Sequence, residues 1–200
     1  SLAHSGLDAL PQGAVLGSSS LRRRAQLLAK RPDLKLVEFR GNVQTRMKKL
    51  GEGVAEATFL AMAGLNRLEM HDIPRTGLSP EEMLPAVAQG AIGIERRLDD
   101  ARAEALLVAI HDTPTGQRLA AERAFLAGLD GSCQTPIAGL AELEGPTLRL
   151  RGEILRPDGS EVLSDAREAP IADGAALGAA MARDLRARAG EGFFDWIETA

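Results

Sequence analysis

Residues 14–31, AVLGSSSLRRRAQLLAKR, decide how the first half of this chain folds. Ala14-Val15-Leu16 is a short apolar run that stops at Gly17, and Ser18, Ser19 and Ser20 then offer side-chain oxygens to the free N–H groups of a helix start. The helix predicted over 21–30 ends at Arg31-Pro32, because a residue before proline is driven out of the helical region. The same order returns twice. A strand over 34–39 breaks at Gly41-Asn42 and leads to a helix over 43–50 closed by Gly51. A strand over 57–63 then runs into Gly64 and a short helical turn bearing Arg67. Strands alternating with helices predict a parallel α/β layer. At all three junctions a strand passes into a helix that carries an arginine. Such junctions lie at the carboxyl ends of parallel strands, where open α/β sheets bind ligands and helix N-termini attract anions.

The rest of the chain reads differently. Residues 71–90 carry Pro74, Gly77, Pro80, Pro85 and Gly90 and predict a connecting loop, followed by a short strand over 91–95 and a helix over 99–110. A second unit opens near Thr113-Pro114-Thr115. Its helix, over 117–129, has Leu119, Ala120, Ala124 and Leu126 at helical spacing and ends at Asp130-Gly131. Strands over 137–143, 147–155 and 161–166 follow, the last two joined by the turn Arg156-Pro157-Asp158-Gly159, and an Ala-rich helix over 175–189 closes the unit. The expected fold is α/β: a parallel-sheet lobe over 1–90, a connecting segment over 91–112, and an α+β domain over 113–200 built from a three-stranded antiparallel sheet with covering helices.

At 200 residues and 44% apolar content the chain can bury a core, which excludes a disordered or fibrous protein. No stretch reaches the length of about eighteen apolar residues that a membrane span needs, and SLAHSGLDALPQG lacks a basic and apolar leader pattern. The expectation is a soluble, cytoplasmic protein that does not bind membranes. A lone cysteine, Cys133, agrees with a reducing compartment. The net charge of −4 conceals a basic block. Residues 18–50 hold ten Lys and Arg against Asp33 and Glu38, so that the rest of the chain must carry −12. One concentrated block in an acidic protein predicts a local site for a small anion. Nucleic acid is disfavoured: there is no Tyr, Trp196 is the only Trp, and Phe39 is the only aromatic residue in the block, so platforms for stacked bases are missing. His4, His71 and His111 lack metal-ligand spacing, so no metal is expected.

Three groups of residues could carry chemistry. In Gly17-Ser18-Ser19-Ser20-Leu21-Arg22-Arg23-Arg24, hydroxyls, helix N–H groups and guanidinium forks suit a carboxylate or phosphate; the same residues also describe a serine-capped helix with a solvated basic face. In Phe39-Arg40-Gly41-Asn42-Val43-Gln44-Thr45-Arg46, Arg40 ends a strand and Arg46 lies in the next helix, either facing the same cleft or exposed beside a capping Asn42. Cys133 sits in the polar turn Asp130-Gly131-Ser132-Cys133-Gln134-Thr135-Pro136, as an accessible attachment point or as a small buried hydrophobe.

The blocks GSSSLRRRAQL, EFRGNVQTR, LAMAGLNRL, LPAVAQGAIGIE, TPTGQRLAAERAF and LDGSCQTPIAG, in this order, resemble the porphobilinogen deaminases, or hydroxymethylbilane synthases, through nearly the whole chain. The resemblance implies a transferase of tetrapyrrole and heme biosynthesis. Four porphobilinogen units would be condensed head to tail, with loss of ammonia, on a dipyrromethane cofactor, and hydroxymethylbilane would be released. It implies a thioether from Cys133 to dipyrromethane. Cofactor carboxylates would be held by Ser20, Arg22, Arg23, Arg40 and Arg46, with Ser19 and Arg67 on the substrate side. The partners implied are porphobilinogen and the growing polypyrrole chain, for a protein that is a monomer at full length.

The family's first domain, with a catalytic aspartate in a His-Ser-x-Lys-Asp context, has no match here, so no catalytic residue is assigned within this sequence. The chain is expected to correspond to the second and third domains, with 91–95 as a strand returning toward the first, and to be inactive alone. Asn66 stands where a lysine is frequent, and Ala88 where a glycine is frequent. A competing expectation is a catalytically incomplete fragment, built on a periplasmic-binding-like lobe, that only binds small carboxylate anions.

Overall fold

The computed structural model describes residues 1–131 and 135–195. Three short strands, β1 (Val15–Gly17), β2 (Lys35–Val37) and β3 (Ala57–Thr58), form a parallel sheet in the order β2-β1-β3. They alternate with helices α1 (Leu21–Lys30), α2 (Val43–Gly51) and α3 (Met62–Arg67). The starts follow the sequence: Ser20 caps α1 by accepting from the Arg23 backbone N–H, and Asn42 caps α2 by accepting from Thr45. Each cap is worth about 1 kcal/mol. Leu16, Leu27 and Leu34 bury their side chains in a small core against the sheet. Gly17 is fixed by close approach, since a Cβ there would collide with the Phe39 ring.

Two predicted strands need correction. The strand expected over 57–63 keeps only Ala57–Thr58, and Met62 already begins α3. The reason is register. Leu16 pairs with Ala57 and Gly17 with Thr58, after which the chain of β1 turns off into the serines and offers no further ladder. Residues 91–95 form no strand: apolar content alone does not make one without a neighbouring backbone to pair with. Ile92 is 93% exposed and Leu98 97%. Helix α4 (Ala101–Val108), capped by Asp100, buries none of its residues.

The second unit is an antiparallel meander of longer strands, β4 (Ile137–Glu144), β5 (Thr147–Leu155) and β6 (Val162–Pro170), covered by α5 (Thr113–Gly128) and α6 (Gly174–Ala189). Its core gathers Phe125, Leu148, Leu150, Ile154, Met181 and Leu185, all fully buried. The two units touch through residues 81–89 and α1. Gly139 N–H donates to Pro85 O at 2.9 Å, and Arg151 pairs with Glu81 at 3.2 Å. The turn at Gly159, with φ +73°, lies so close to α1 that a Cβ there would strike the backbone nitrogen of Ala29.

Candidate anion-binding site

Because β1, β2 and β3 are parallel, their carboxyl ends deliver three helix starts to one edge of the sheet. A cavity of about 440 Å³ opens beside that edge, lined by Arg22, Arg23, Thr58, Phe59 and Gln89, with apolar wall from residues such as Leu65.

Arg22, in the first turn of α1, is 6% exposed. Its Nη1 donates to Gln26 Oε1 and to Leu84 O, each at 2.7 Å, and its Nη2 to Gln89 Oε1 at 3.2 Å. The buried Nε has no hydrogen-bond partner among the described residues. Burial, helped by the charge of Arg23 and opposed by Glu153, brings the Arg22 pKa down to about 10. Arg23 is lowered too, by burial first and then by Arg46. Its guanidinium lies 5.5 Å from the Phe59 ring centroid. Among the described residues no carboxylate pairs with Arg22, Arg23 or Arg46. Arg46 donates to Gly41 O at 2.9 Å and to Phe59 O at 3.4 Å. The arrangement therefore holds positive charges together, Arg22 and Arg23 partly desolvated in the cavity wall and Arg46 near Arg23 but outside the lining, against the expectation that it faces the same cleft. A carboxylate entering here would gain charge-assisted hydrogen bonds of about 1.5–3 kcal/mol each and relieve the mutual repulsion.

The other expected residues are placed as follows. Ser20 caps α1. Ser19 Oγ accepts from Phe39 N–H at 3.1 Å and is hydrogen-bonded to the Glu38 carboxylate, which helps to hold that carboxyl below its ordinary range after the larger effect of Arg40. Arg40 is exposed, forms an ion pair with Glu38 at 2.6 Å and does not line the cavity. Arg67 is exposed at the end of α3 and is likewise outside the lining. Cys133 lies outside the described residues. Among the described residues no His, Cys, Asp and Glu cluster suits a metal ion.

Sequence reasoning missed four residues at the site. Gln26 could have been found, since it stands one helical turn from Arg22 on the same face. Phe59 and Gln89 lie within the quoted or neighbouring runs but carry no charge signal. Glu122 of α5 is the least foreseeable. Its buried carboxylate accepts from Ala88 N–H at 2.7 Å and from Ala141 N–H at 2.8 Å, and burial pushes its pKa up against the opposing pull of those two bonds. It thereby holds Ala88 in a left-handed conformation, φ +61°, beside Gln89.

Parallel strands that run into helix starts, beside a cavity lined by arginines without a carboxylate partner among the described residues, define an α/β protein with an appended α+β unit. Residues 1–105 match the family model described as porphobilinogen deaminase, dipyrromethane cofactor binding domain, and residues 117–187 match porphobilinogen deaminase, C-terminal domain. The chain belongs to the porphobilinogen deaminase family. It is 70% identical over 190 residues to the porphobilinogen deaminase of Paracoccus denitrificans (strain Pd 1222), a match covering 95% of this chain and 61% of the relative. It is 53% identical over 188 residues to that of Nitrobacter hamburgensis, covering 94% of this chain and 60% of the relative. The chain thus spans about three fifths of the length of the curated relatives it matches.

Proposed function

We propose that this chain supplies the cofactor- and substrate-holding part of a porphobilinogen deaminase, the transferase that builds hydroxymethylbilane. The observation that carries the reading is the pair Arg22 and Arg23, which line one cavity with no carboxylate in ion-pair contact among the described residues. Porphobilinogen brings an acetate and a propionate, and each pyrrole added to a chain brings two more carboxylates, so the ligand matches the charge on offer. Dipyrromethane, when bound, would supply the free pyrrole carbon that starts the chain, onto which four porphobilinogen units are joined one after another, each with loss of one ammonia.

The resemblance assigns Ser20, Arg22, Arg23, Arg40 and Arg46 to its carboxylates and Cys133 to its covalent tether; of these, Arg22 and Arg23 line the cavity. Ser19 and Arg67 are assigned to the incoming substrate. Guanidinium forks orient planar carboxylates and stay protonated at neutral pH, which lysine would do less rigidly. The apolar wall of the cavity excludes water from the pyrrole rings, and a thioether to Cys133 would keep the product chain in place between additions. A positioned acid or base contributes about 10²–10⁴ in rate. The catalytic carboxylate is assigned to a preceding domain, toward which the exposed 91–112 segment would lead. The first lobe is assigned to the periplasmic-binding-like class and the protein to the cytoplasm, as a monomer at full length.

Calorimetric titration tests the reading. Porphobilinogen is expected to bind this chain, and to bind Arg23→Gln about tenfold more weakly; absence of binding to the unaltered chain would overturn it. Intact mass tests the tether. With the first domain supplied separately together with preformed hydroxymethylbilane, the chain should gain the mass of four linked pyrroles, the tetrapyrrole joined to sulfur with loss of water, and Cys133→Ser should not.

A further inference from the structure

Gln26 sits at the centre of a polar chain that crosses from the cavity to the α+β unit. Its Oε1 accepts from Arg22 Nη1 at 2.7 Å, while its Nε2 donates to Leu84 O at 3.0 Å and to Glu153 Oε2, on β5, at 2.9 Å. Gln26 is buried, so its amide must satisfy all its groups within the protein. Both Nε2 hydrogens are taken by groups that only accept, a carbonyl and a carboxylate. The single amide oxygen is therefore aimed at Arg22, and a flipped amide would set donor against donor at Arg22 and acceptor against acceptor at Leu84 and Glu153. Glu153 contributes a second effect, because its negative charge opposes the desolvation of the Arg22 guanidinium.

We infer that Glu153, acting through Gln26, is a positioning residue that holds the Arg22 guanidinium in the cavity, so that the α+β unit sets the geometry of anion binding in the α/β lobe. The value of the inference for ligand binding rests on the proposed function; the positioning itself does not. Leu84 O fixes one Nε2 hydrogen, and loss of Glu153 frees the other, leaving the amide with an unsatisfied donor and Arg22 with a looser acceptor. A glutamine at 153 retains an acceptor oxygen for Gln26. A leucine retains the bulk and removes the acceptor.

The test uses the 200-residue chain and two readouts. The first is hydrogen exchange of the Arg22 Nε–H, followed by nitrogen-15 NMR with the signal assigned through Arg22→Lys. The second is porphobilinogen affinity. In Glu153→Leu the Nε–H is expected to exchange about tenfold faster and porphobilinogen to bind about fivefold more weakly, the size of one indirect hydrogen bond. Glu153→Gln should return both to within about twofold of the starting values, a rescue that simple packing would not produce. Gln26→Met removes the amide at similar volume and should match Glu153→Leu with Glu153 still present, which also serves if the leucine variant fails to fold. Unchanged Arg22 exchange in both Glu153→Leu and Gln26→Met overturns the inference, as does a glutamine variant no better than leucine. Failure of porphobilinogen to bind the unaltered chain, with the exchange pattern intact, overturns the proposed function and leaves the positioning supported.

Discussion

The two sheets of this molecule have the same number of strands and opposite purposes. In the parallel sheet the strands are two or three residues long, and the cluster of fully buried apolar residues around it is small. Helix starts, serines and arginines meet at its edge, and the space beyond is a cavity. In the antiparallel sheet the strands run eight or nine residues and press Phe125, Met181 and Leu185 into a dense core. Short strands release the chain early into polar junctions; long strands spend their length on packing. Cavity and dense core are thus divided between the units, and residues 81–89 with α1 join them.

The contrast breaks first at the packed end. Phe125→Ala should destabilise the α+β unit by about 3–5 kcal/mol, the usual cost of emptying a buried aromatic site. Urea unfolding, with amide exchange of β4 to β6 as the local reporter, measures it; a loss below 1 kcal/mol would contradict the picture of a dense core. The junction comes next. Gly159→Val asks a β-branched residue to take φ +73° against the α1 backbone and should cost about 2 kcal/mol or more, read by thermal melting and by loss of protection in α1.

At the binding end the signs separate. Arg23→Gln should weaken porphobilinogen binding about tenfold while leaving melting nearly unchanged, because a desolvated charge beside Arg46 is removed together with its binding role. If melting falls instead and binding holds, Arg23 is structural and the division between the units fails. Ala88→Gly should stabilise by about 0.5–1 kcal/mol, since glycine adopts the left-handed backbone there without the Cβ penalty.

The smallest effect depends on pH. Asp33 accepts from Arg31 and from Gly13 N–H, which hold its carboxyl well below the ordinary range. A carboxyl lowered on folding contributes stability that is complete above the pKa of the unfolded chain, about 3.9, and is lost as pH falls through the folded value. Asp33→Asn should therefore lower stability slightly at neutral pH, and the gap to the unaltered chain should close progressively in acid. A gap that persists in strong acid would mean that Asp33 acts through its shape and not its charge.

Legibility in the sequence followed the range of the interaction. The helix predicted over 21–30 has those bounds because Ser20 and Pro32 act on their immediate neighbours. The meander was legible for the same reason, its second turn being written in Pro157-Asp158-Gly159. The strand expected over 57–63 was read too long because its end is set by where β1, forty residues earlier, leaves the ladder. The arginines showed their charge but not their burial: Arg22 was foreseen as an anion ligand, and the structure shows it also braced by Gln26, Leu84 and Gln89. Glu153 meets Gln26 across 127 positions, and no local pattern announces such a pair.

The two hairpin turns of the meander also differ in what they would tolerate as attachment points. Gly145, between β4 and β5, is exposed, and a side chain added there would meet nothing within 4 Å. Gly159, between β5 and β6, is wedged against α1. A fluorescent label or affinity peptide grafted at position 145 would therefore meet no neighbour, at the local cost of a side chain held at φ +55°. The same graft at 159 would act as a lever between the two units, giving an experimenter a handle for separating them at will.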